Sequence, residues 1–283
     1  MSPMPSPSRP APPMSNRLSD APPSQDRRES LRAIGKMVEP DDLSVVFQPI
    51  VDMATGELFA YEALVRCRVP QLKSPPKLFE LAVENECTGR LGRMIREIAI
   101  PLSSGLPLFV NVHPQELHEG WLVRPDDPIF AHDHEVFLEV TESVPLTHFD
   151  LCLSVLHELR ARGGVHLVVD DLGAGYSNLK TIADLEPRVV KLDRDLVAGL
   201  DQRPRQRQLV HGVVRLCRDL GALVVAEGIE TPDEYSALRD TGAHFGQGYL
   251  FARPAFPMPA ITWPPPAPTP RSAETDGTSP HLC

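Results

Sequence analysis

The sequence predicts one closed α/β barrel of mainly parallel strands, entered through an antiparallel hairpin. Three observations predict it. Short apolar, β-branched runs alternate with helix-length amphipathic intervals, which is the order of repeated βα units. At least five of those runs end in Asn, Asp, Glu, Lys or Gln. An open doubly wound sheet collects ligands at one switch point, whereas a closed barrel turns the ends of all its strands towards one site. The length of 283 residues also suits a barrel of about 250 residues with short extra ends.

Residues 1–28 are rich in Pro, Ser and Ala and carry almost no large apolar side chain. Such a segment cannot bury enough surface to offset its ordering entropy, so residues 1–30 are expected to be a disordered tail. Its proline-rich pieces offer a protein partner a docking segment, against the plainer reading of a solvated tether. A helix-compatible piece, 29–38, leads to a first strand at 43–50 (LSVVFQPI) and, after the turn at 53–57, a second at 58–66 (LFAYEALVR). The pair should form the hairpin. Helices are expected near 76–85 and 88–103, then a strand at 108–112 ending beside Asn111, and another at 136–142 carrying Glu139 where a core residue should stand.

A helix near 148–162 precedes the densest stretch, 165–193 (VHLVVDDLGAGYSNLKTIADLEPRVVKLD). Its first strand stops at Asp170 and Asp171, glycines 173 and 175 turn the chain, and a second strand carries Lys191. Ionised groups at the ends of buried strands are costly unless something binds there. A helix near 203–220, a strand at 223–230 exiting through Glu227 and Glu230, a helix at 232–241 and a last strand at 245–251 containing Gln247 complete the order. From 257 the composition returns to Pro, Thr and Ser, and a second disordered tail, 257–283, is expected. Any one of these acids reads equally well as a helix cap or a surface residue. All of them together do not.

Bulk properties narrow the function. A formal net charge of −10 argues against a polymer of DNA or RNA as partner, since such binders carry a basic face. Five cysteines, Cys67, Cys87, Cys152, Cys217 and Cys283, show no metal-ligand spacing and leave an odd one over, so they read as reduced thiols. No stretch approaches the roughly 18 consecutive apolar residues of a membrane span, and the amino terminus has no apolar signal core. A cytoplasmic location is the expectation.

The motifs Gln48-Pro49-Ile50, Glu62-Ala63-Leu64-Val65-Arg66, Val110-Asn111-Val112, Leu138 to Ser143, Asp170 to Ser177, Lys191-Leu192-Asp193, Ala226 to Thr231 and Gln247-Gly248-Tyr249 follow one another in order. In that order they resemble the EAL family of cyclic di-GMP phosphodiesterases over residues 40–256, and we delimit the domain as 31–256. The resemblance implies a modified TIM (β/α)8 barrel with an antiparallel first strand. It implies that Glu62, Asn111, Glu139 and Asp170 hold one divalent cation, Mg²⁺ or Mn²⁺, and that Asp170 and Asp171 reach a second. Lys191 is implied to hold the catalytic water or steady developing charge, Glu227 to act as a supporting or general-base carboxylate, and Gln247 to place water and metal ligands. Glu142 corresponds to the acid that secures the loop after the aspartates, Glu230 is supportive, and Gln48, Leu64 and Arg66 match substrate-contacting positions. A homodimer is implied by the family alone. The activity implied is hydrolysis of cyclic di-GMP to linear pGpG, with a catalytically weak cyclic di-GMP receptor acting through a protein partner as the alternative.

The chemistry agrees with that assignment. Carboxylate and amide oxygens are hard ligands suited to Mg²⁺ or Mn²⁺, and clustered carboxylates repel one another without cations. Two such ions about 3.5–4 Å apart stabilise in-line displacement at phosphorus. The sequence departs from the family at Leu172, where Phe is usual, at Cys67, where an aromatic is common, and at His113, which replaces a small hydroxyl residue. The interval from Glu62 to Asn111 is short for the family, which should trim the helices beside the substrate. Leu172 is expected to loosen the loop after the aspartates.

Overall fold

The structure, a computed structural model, describes residues 38–141, 149–174 and 179–263. The amino-terminal tail, residues 264–283 of the carboxy-terminal one, Glu142 and the loop residues Gly175 to Asn178 lie outside the described residues. Strands β1 (Leu43–Asp52), β2 (Leu58–Cys67), β3 (Leu108–Val112), β4 (Val136–Thr141), β5 (Val165–Leu172), β6 (Val189–Leu192), β7 (Leu223–Ala226) and β8 (Phe245–Gln247) close in that order into a barrel. β1 is antiparallel to both its neighbours, β2 and β8, and the other neighbours pair in parallel. The hairpin and the closed barrel are therefore both present.

The helices are α1 (Pro75–Glu84), α2 (Thr88–Leu102), α3 (Glu116–Glu119), α4 (Phe149–Ala161), α5 (Leu179–Leu185), α6 (Arg194–Val197), α7 (Pro204–Asp219) and α8 (Pro232–Thr241). Local chemistry sets their ends. Proline at the first position starts α1 and α7, where its missing N–H costs nothing. In α8, Thr231 and Glu234 cap each other's backbone reciprocally, and Gly242 closes the helix in the left-handed conformation. α3 and α6 are too short to leave a periodic signal and were not expected, whereas α5 falls in the helix-length interval between the two strands of the 165–193 stretch. Among the described residues no helix is long and apolar enough to cross a membrane.

The barrel interior explains where the site lies. Ile50, Ala60, Phe109, Phe137, Val168, Val189, Val225 and Phe245 form a buried apolar cluster, separate from the larger core that packs strands against helices. Phe109 and Phe137 stack at 4.3 Å between centroids, and Phe59 stacks on Phe245 at 4.0 Å. Side chains two apart on a strand share a face. The residue two positions on from each cluster member is therefore also inward, one layer higher: Glu62, Asn111, Glu139, Asp170, Lys191, Glu227 and Gln247. On antiparallel β1 the same step runs backwards, from Ile50 to Gln48. The aromatic layer closes one end of the barrel and leaves the polar layer at the other.

The chain expected to be tail from 257 stays in contact with the barrel as far as it is described. Ala255 and Phe47 exchange backbone hydrogen bonds at 2.9 and 3.0 Å, Tyr61 Oη donates to Pro259 O at 2.8 Å, and Thr262 N donates to Phe251 O at 2.9 Å. Met258, Ile261 and Trp263 pack against the core. The boundary expected at 256 thus falls short of the last ordered contacts, because a low-complexity composition conceals three apolar anchors.

Candidate active site

Each strand delivers its polar residue to one cavity of about 860 Å³. Gln48, Glu62, Leu64, Arg66, Asn111, Glu139, Asp170, Asp171, Lys191, Glu227, Glu230 and Gln247 all line it. Of the residues expected at the site, Glu142 alone lies outside the described residues.

Lys191, 1% exposed, is the hub. Its ammonium lies 2.5 Å from Glu227 Oε1, 2.6 Å from Glu139 Oε1, 3.4 Å from Glu62 Oε2 and 3.6 Å from Asp170 Oδ1. Burial alone would drive the proton off, but the four carboxylates hold the lysine pKa well above its ordinary value. One cation cannot neutralise four acids. Burial, with Glu62 and Asp170 nearby, pushes Glu139 well up despite Lys191. Burial also raises Asp170 to about 6 and Glu227 to about 8, against the pull of Lys191 and with the help of neighbouring carboxylates. Glu62 goes the other way. Its burial is outweighed by the lysine charge and by hydrogen bonds from Gln247 Nε2 at 2.6 Å and Asn111 Nδ2 at 2.9 Å.

The two adjacent aspartates owe their common orientation to the backbone. Consecutive residues of a regular strand point to opposite faces. Asp171 has φ +61°, and the β5–β6 register shifts between Val169 and Leu172. The strand expected to stop at Asp170 therefore continues through an irregularity to Leu172, and both carboxylates reach the cavity. Asp171 N donates to Asp170 Oδ1 at 2.9 Å, and Thr141 Oγ1 donates to Asp171 Oδ2 at 3.1 Å. Thr141 was not singled out in the sequence, although it stands beside Glu142 in a quoted motif. Leu172 is 2% exposed and joins the core, so an apolar anchor is kept at the start of the loop. The loop tip itself lies outside the described residues.

Gln247 links two strands: its Nε2 also donates to Gln48 Oε1 at 3.2 Å, while Gln48 Nε2 donates to Ala252 O at 3.3 Å. A Cβ on Gly248 would lie 2.1 Å from Ile229 O, so only glycine lets these backbones cross behind Gln247. Arg66 donates to its neighbour Val65 O at 2.8 Å, and Leu64 is half-buried on the wall. Glu230 sits at the rim in an exposed pair with Arg194 at 2.8 Å. Cys67, Cys87, Cys152 and Cys217 are buried, and none of them lines the cavity.

The donor set fits hard divalent cations. Glu139 Oε2 and Gln247 Oε1 are buried and accept no hydrogen bond from an N–H or hydroxyl donor among the described residues, and Glu139 lies between the Lys191 ammonium and the Glu62 carboxylate. Asp170, Asp171 and Glu227 each place a carboxylate oxygen within 4.8 Å of the others. Unsatisfied buried acceptors and converging negative charge are what oxygen-seeking ions relieve.

Comparison with known proteins agrees with this geometry. The sequence model of the EAL domain matches residues 30–254. PA2567 of Pseudomonas aeruginosa, named a cyclic di-GMP phosphodiesterase, is 34% identical over 234 residues, covering 77% of this chain and 39% of that protein. PdeR of Escherichia coli, also named a cyclic di-GMP phosphodiesterase, is 31% identical over 242 residues, covering 81% and 36%. This chain therefore spans less than two fifths of the length of either relative. The structure of Klebsiella pneumoniae BlrP1 with manganese and cyclic di-GMP at pH 6 superposes with a TM-score of 0.66 at 33% identity, over 76% of this chain and 56% of that one. An EAL domain protein from Listeria monocytogenes superposes with a TM-score of 0.67 at 26% identity, over 81% and 93%. The closed barrel, the converging acids and these matches carry one conclusion: the chain belongs to the EAL domain family.

Proposed function

We propose that this domain is a Mg²⁺- or Mn²⁺-dependent phosphodiesterase that opens cyclic di-GMP to linear pGpG. The observation that carries the reading is the cluster of four carboxylates, three of them buried and Glu227 half-buried, that share the single ammonium of Lys191. Glu62, Asn111, Glu139 and Asp170 are the residues to hold one cation. Asp170 and Asp171 are those to hold a second, and the proximity of Glu227 to both extends its expected supporting role to that of a ligand. When bound, such ions supply an activated water and neutralise charge on the phosphodiester.

The chain's own residues do the rest. Lys191, kept protonated by its neighbours, offsets charge developing on the phosphoryl oxygens. Glu227, 2.5 Å from the Lys191 ammonium on the cavity wall, stands where a supporting or general-base carboxylate is expected. Gln247 and Asn111 clamp Glu62 in one orientation by donating to its two oxygens. Gln48, Leu64 and Arg66 line the wall where a dinucleotide is to lie. Retention of every acid, both amides and the lysine supports turnover over a binding-only receptor. The reading places the protein in the cytoplasm, as a homodimer in the manner of its family. The test is product analysis of cyclic di-GMP incubated with purified protein and Mn²⁺, beside Glu62→Ala. Formation of pGpG by the wild type alone is expected, and no conversion above that variant at any metal concentration overturns the proposal.

A further inference from the structure

One end of the cavity carries chemistry that neither the acid cluster nor the motif residues use. Phe79 and Glu80 of α1 line it, and Phe79 stacks on His113 with centroids 6.1 Å apart and planes 12° from parallel. His113 is held from two sides. Its backbone N donates to Glu116 Oε1 at 3.1 Å, and Glu116 is itself bound by buried Arg96 at 2.8 Å. Gln115 N donates to His113 Nδ1 at 3.2 Å, which leaves the ring proton on Nε2. Glu80 is exposed, and no hydrogen bond or ion pair engages its carboxylate among the described residues.

The wall thus offers a flat apolar face, one N–H donor and one carboxylate with two acceptors. Guanine presents the complement: a flat ring, acceptors at O6 and N7, and donors at its N1–H and 2-amino group. Adenine has an unprotonated N1 and no 2-amino group, so Glu80 loses both its donors, and it carries an amino group in place of O6, so His113 keeps N7 alone.

Resting on the phosphodiesterase reading, we propose that Phe79, Glu80 and His113 read a guanine base of the substrate. The base lies on Phe79, Glu80 accepts from the N1–H and 2-amino edge, and His113 Nε2–H donates to O6 or N7. This makes α1 a specificity element, and it gives the departure at His113 a purpose.

The test compares steady-state kinetics on cyclic di-GMP and on its inosine analogue, which lacks the 2-amino group, for the wild type, Glu80→Ala and His113→Phe with Mn²⁺. A hydrogen bond to a charged acceptor corresponds to about a tenfold change in affinity. Glu80→Ala is expected to raise KM for cyclic di-GMP about tenfold with kcat within about twofold. The preference for guanine over inosine is expected to collapse towards one, with the melting temperature unchanged because Glu80 is exposed. His113→Phe keeps the ring stack and should raise KM for both substrates, since O6 and N7 are common to them. A Glu80→Ala protein with unchanged KM and unchanged guanine preference overturns the wall while leaving the phosphodiesterase standing. A wild type that neither binds nor cleaves cyclic di-GMP overturns both.

Discussion

Two buried charge clusters sit about the same barrel, and they are built oppositely. Around Arg96, 1% exposed, everything is matched: Nε and Nη2 grip both oxygens of Asp127 at 3.1 and 2.9 Å, Nη1 meets Glu116 at 2.8 Å, and the remaining Glu116 oxygen accepts from His113 N. Around Lys191 four carboxylates share one ammonium, and Glu139 Oε2 and Gln247 Oε1 accept no hydrogen bond from an N–H or hydroxyl donor among the described residues. The two hubs are equally buried, although Glu227 at the edge of the Lys191 cluster is only half-buried. The difference lies in satisfaction, since a closed network fixes a structure whereas an open one waits for a ligand. The Arg96 network also has a functional consequence, because it anchors the backbone of His113 on the cavity wall.

Variants of the two hubs should separate them. Removing one partner of a closed buried ion pair costs about 3–5 kcal/mol. Arg96→Ala should therefore show its loss in urea unfolding, with cations giving no recovery. Lys191→Met should act on chemistry instead, lowering kcat on cyclic di-GMP by about 10²–10³-fold, as removal of a charge-stabilising group does. Glu139→Gln removes an unsatisfied buried acid and should stabilise the EDTA-treated protein by about 1–2 kcal/mol in thermal melts. The wild type should melt higher with Mn²⁺, and the same change should abolish that shift.

The smallest effect concerns pH. Asp170 and Glu227 bind protons more tightly folded than unfolded, with folded values of about 6 and about 8. The unfolded chain then holds fewer protons, so stability falls as pH rises through this window. In EDTA the protein should gain stability as pH drops from about 8 towards the ordinary carboxylate range and then level off. With Mn²⁺ present that slope should flatten or reverse. Denaturant midpoints across pH, with and without the ion, check the sign.

Much of this was legible in the sequence because strand parity is simple. Phe109 and Asn111, Phe137 and Glu139, or Val225 and Glu227 stand two apart, and a two-residue period puts both on one face, the apolar member below the polar one. Helices α2 and α7 were legible from their long amphipathic pattern. What stayed hidden depends on distance rather than pattern. Nothing in Asp170-Asp171 announces the left-handed backbone that turns both acids inward. Arg96 reads as an ordinary helix-surface residue until α3 and Asp127 fold over it. Phe79 and Glu80 carry no motif, and only the packing of α1 beside β2 brings them to the cavity. The contacts of Met258, Ile261 and Trp263 lie within a proline-rich composition that suggested a tail.

The unbalanced cluster around Lys191 is predicted to be a cation site. A calorimetric titration of EDTA-treated protein with Mn²⁺ tests this most directly. Saturable uptake of two ions per chain, lost in Glu62→Ala and kept in Glu80→Ala, is the predicted result. An absence of saturable uptake in a folded wild type contradicts it.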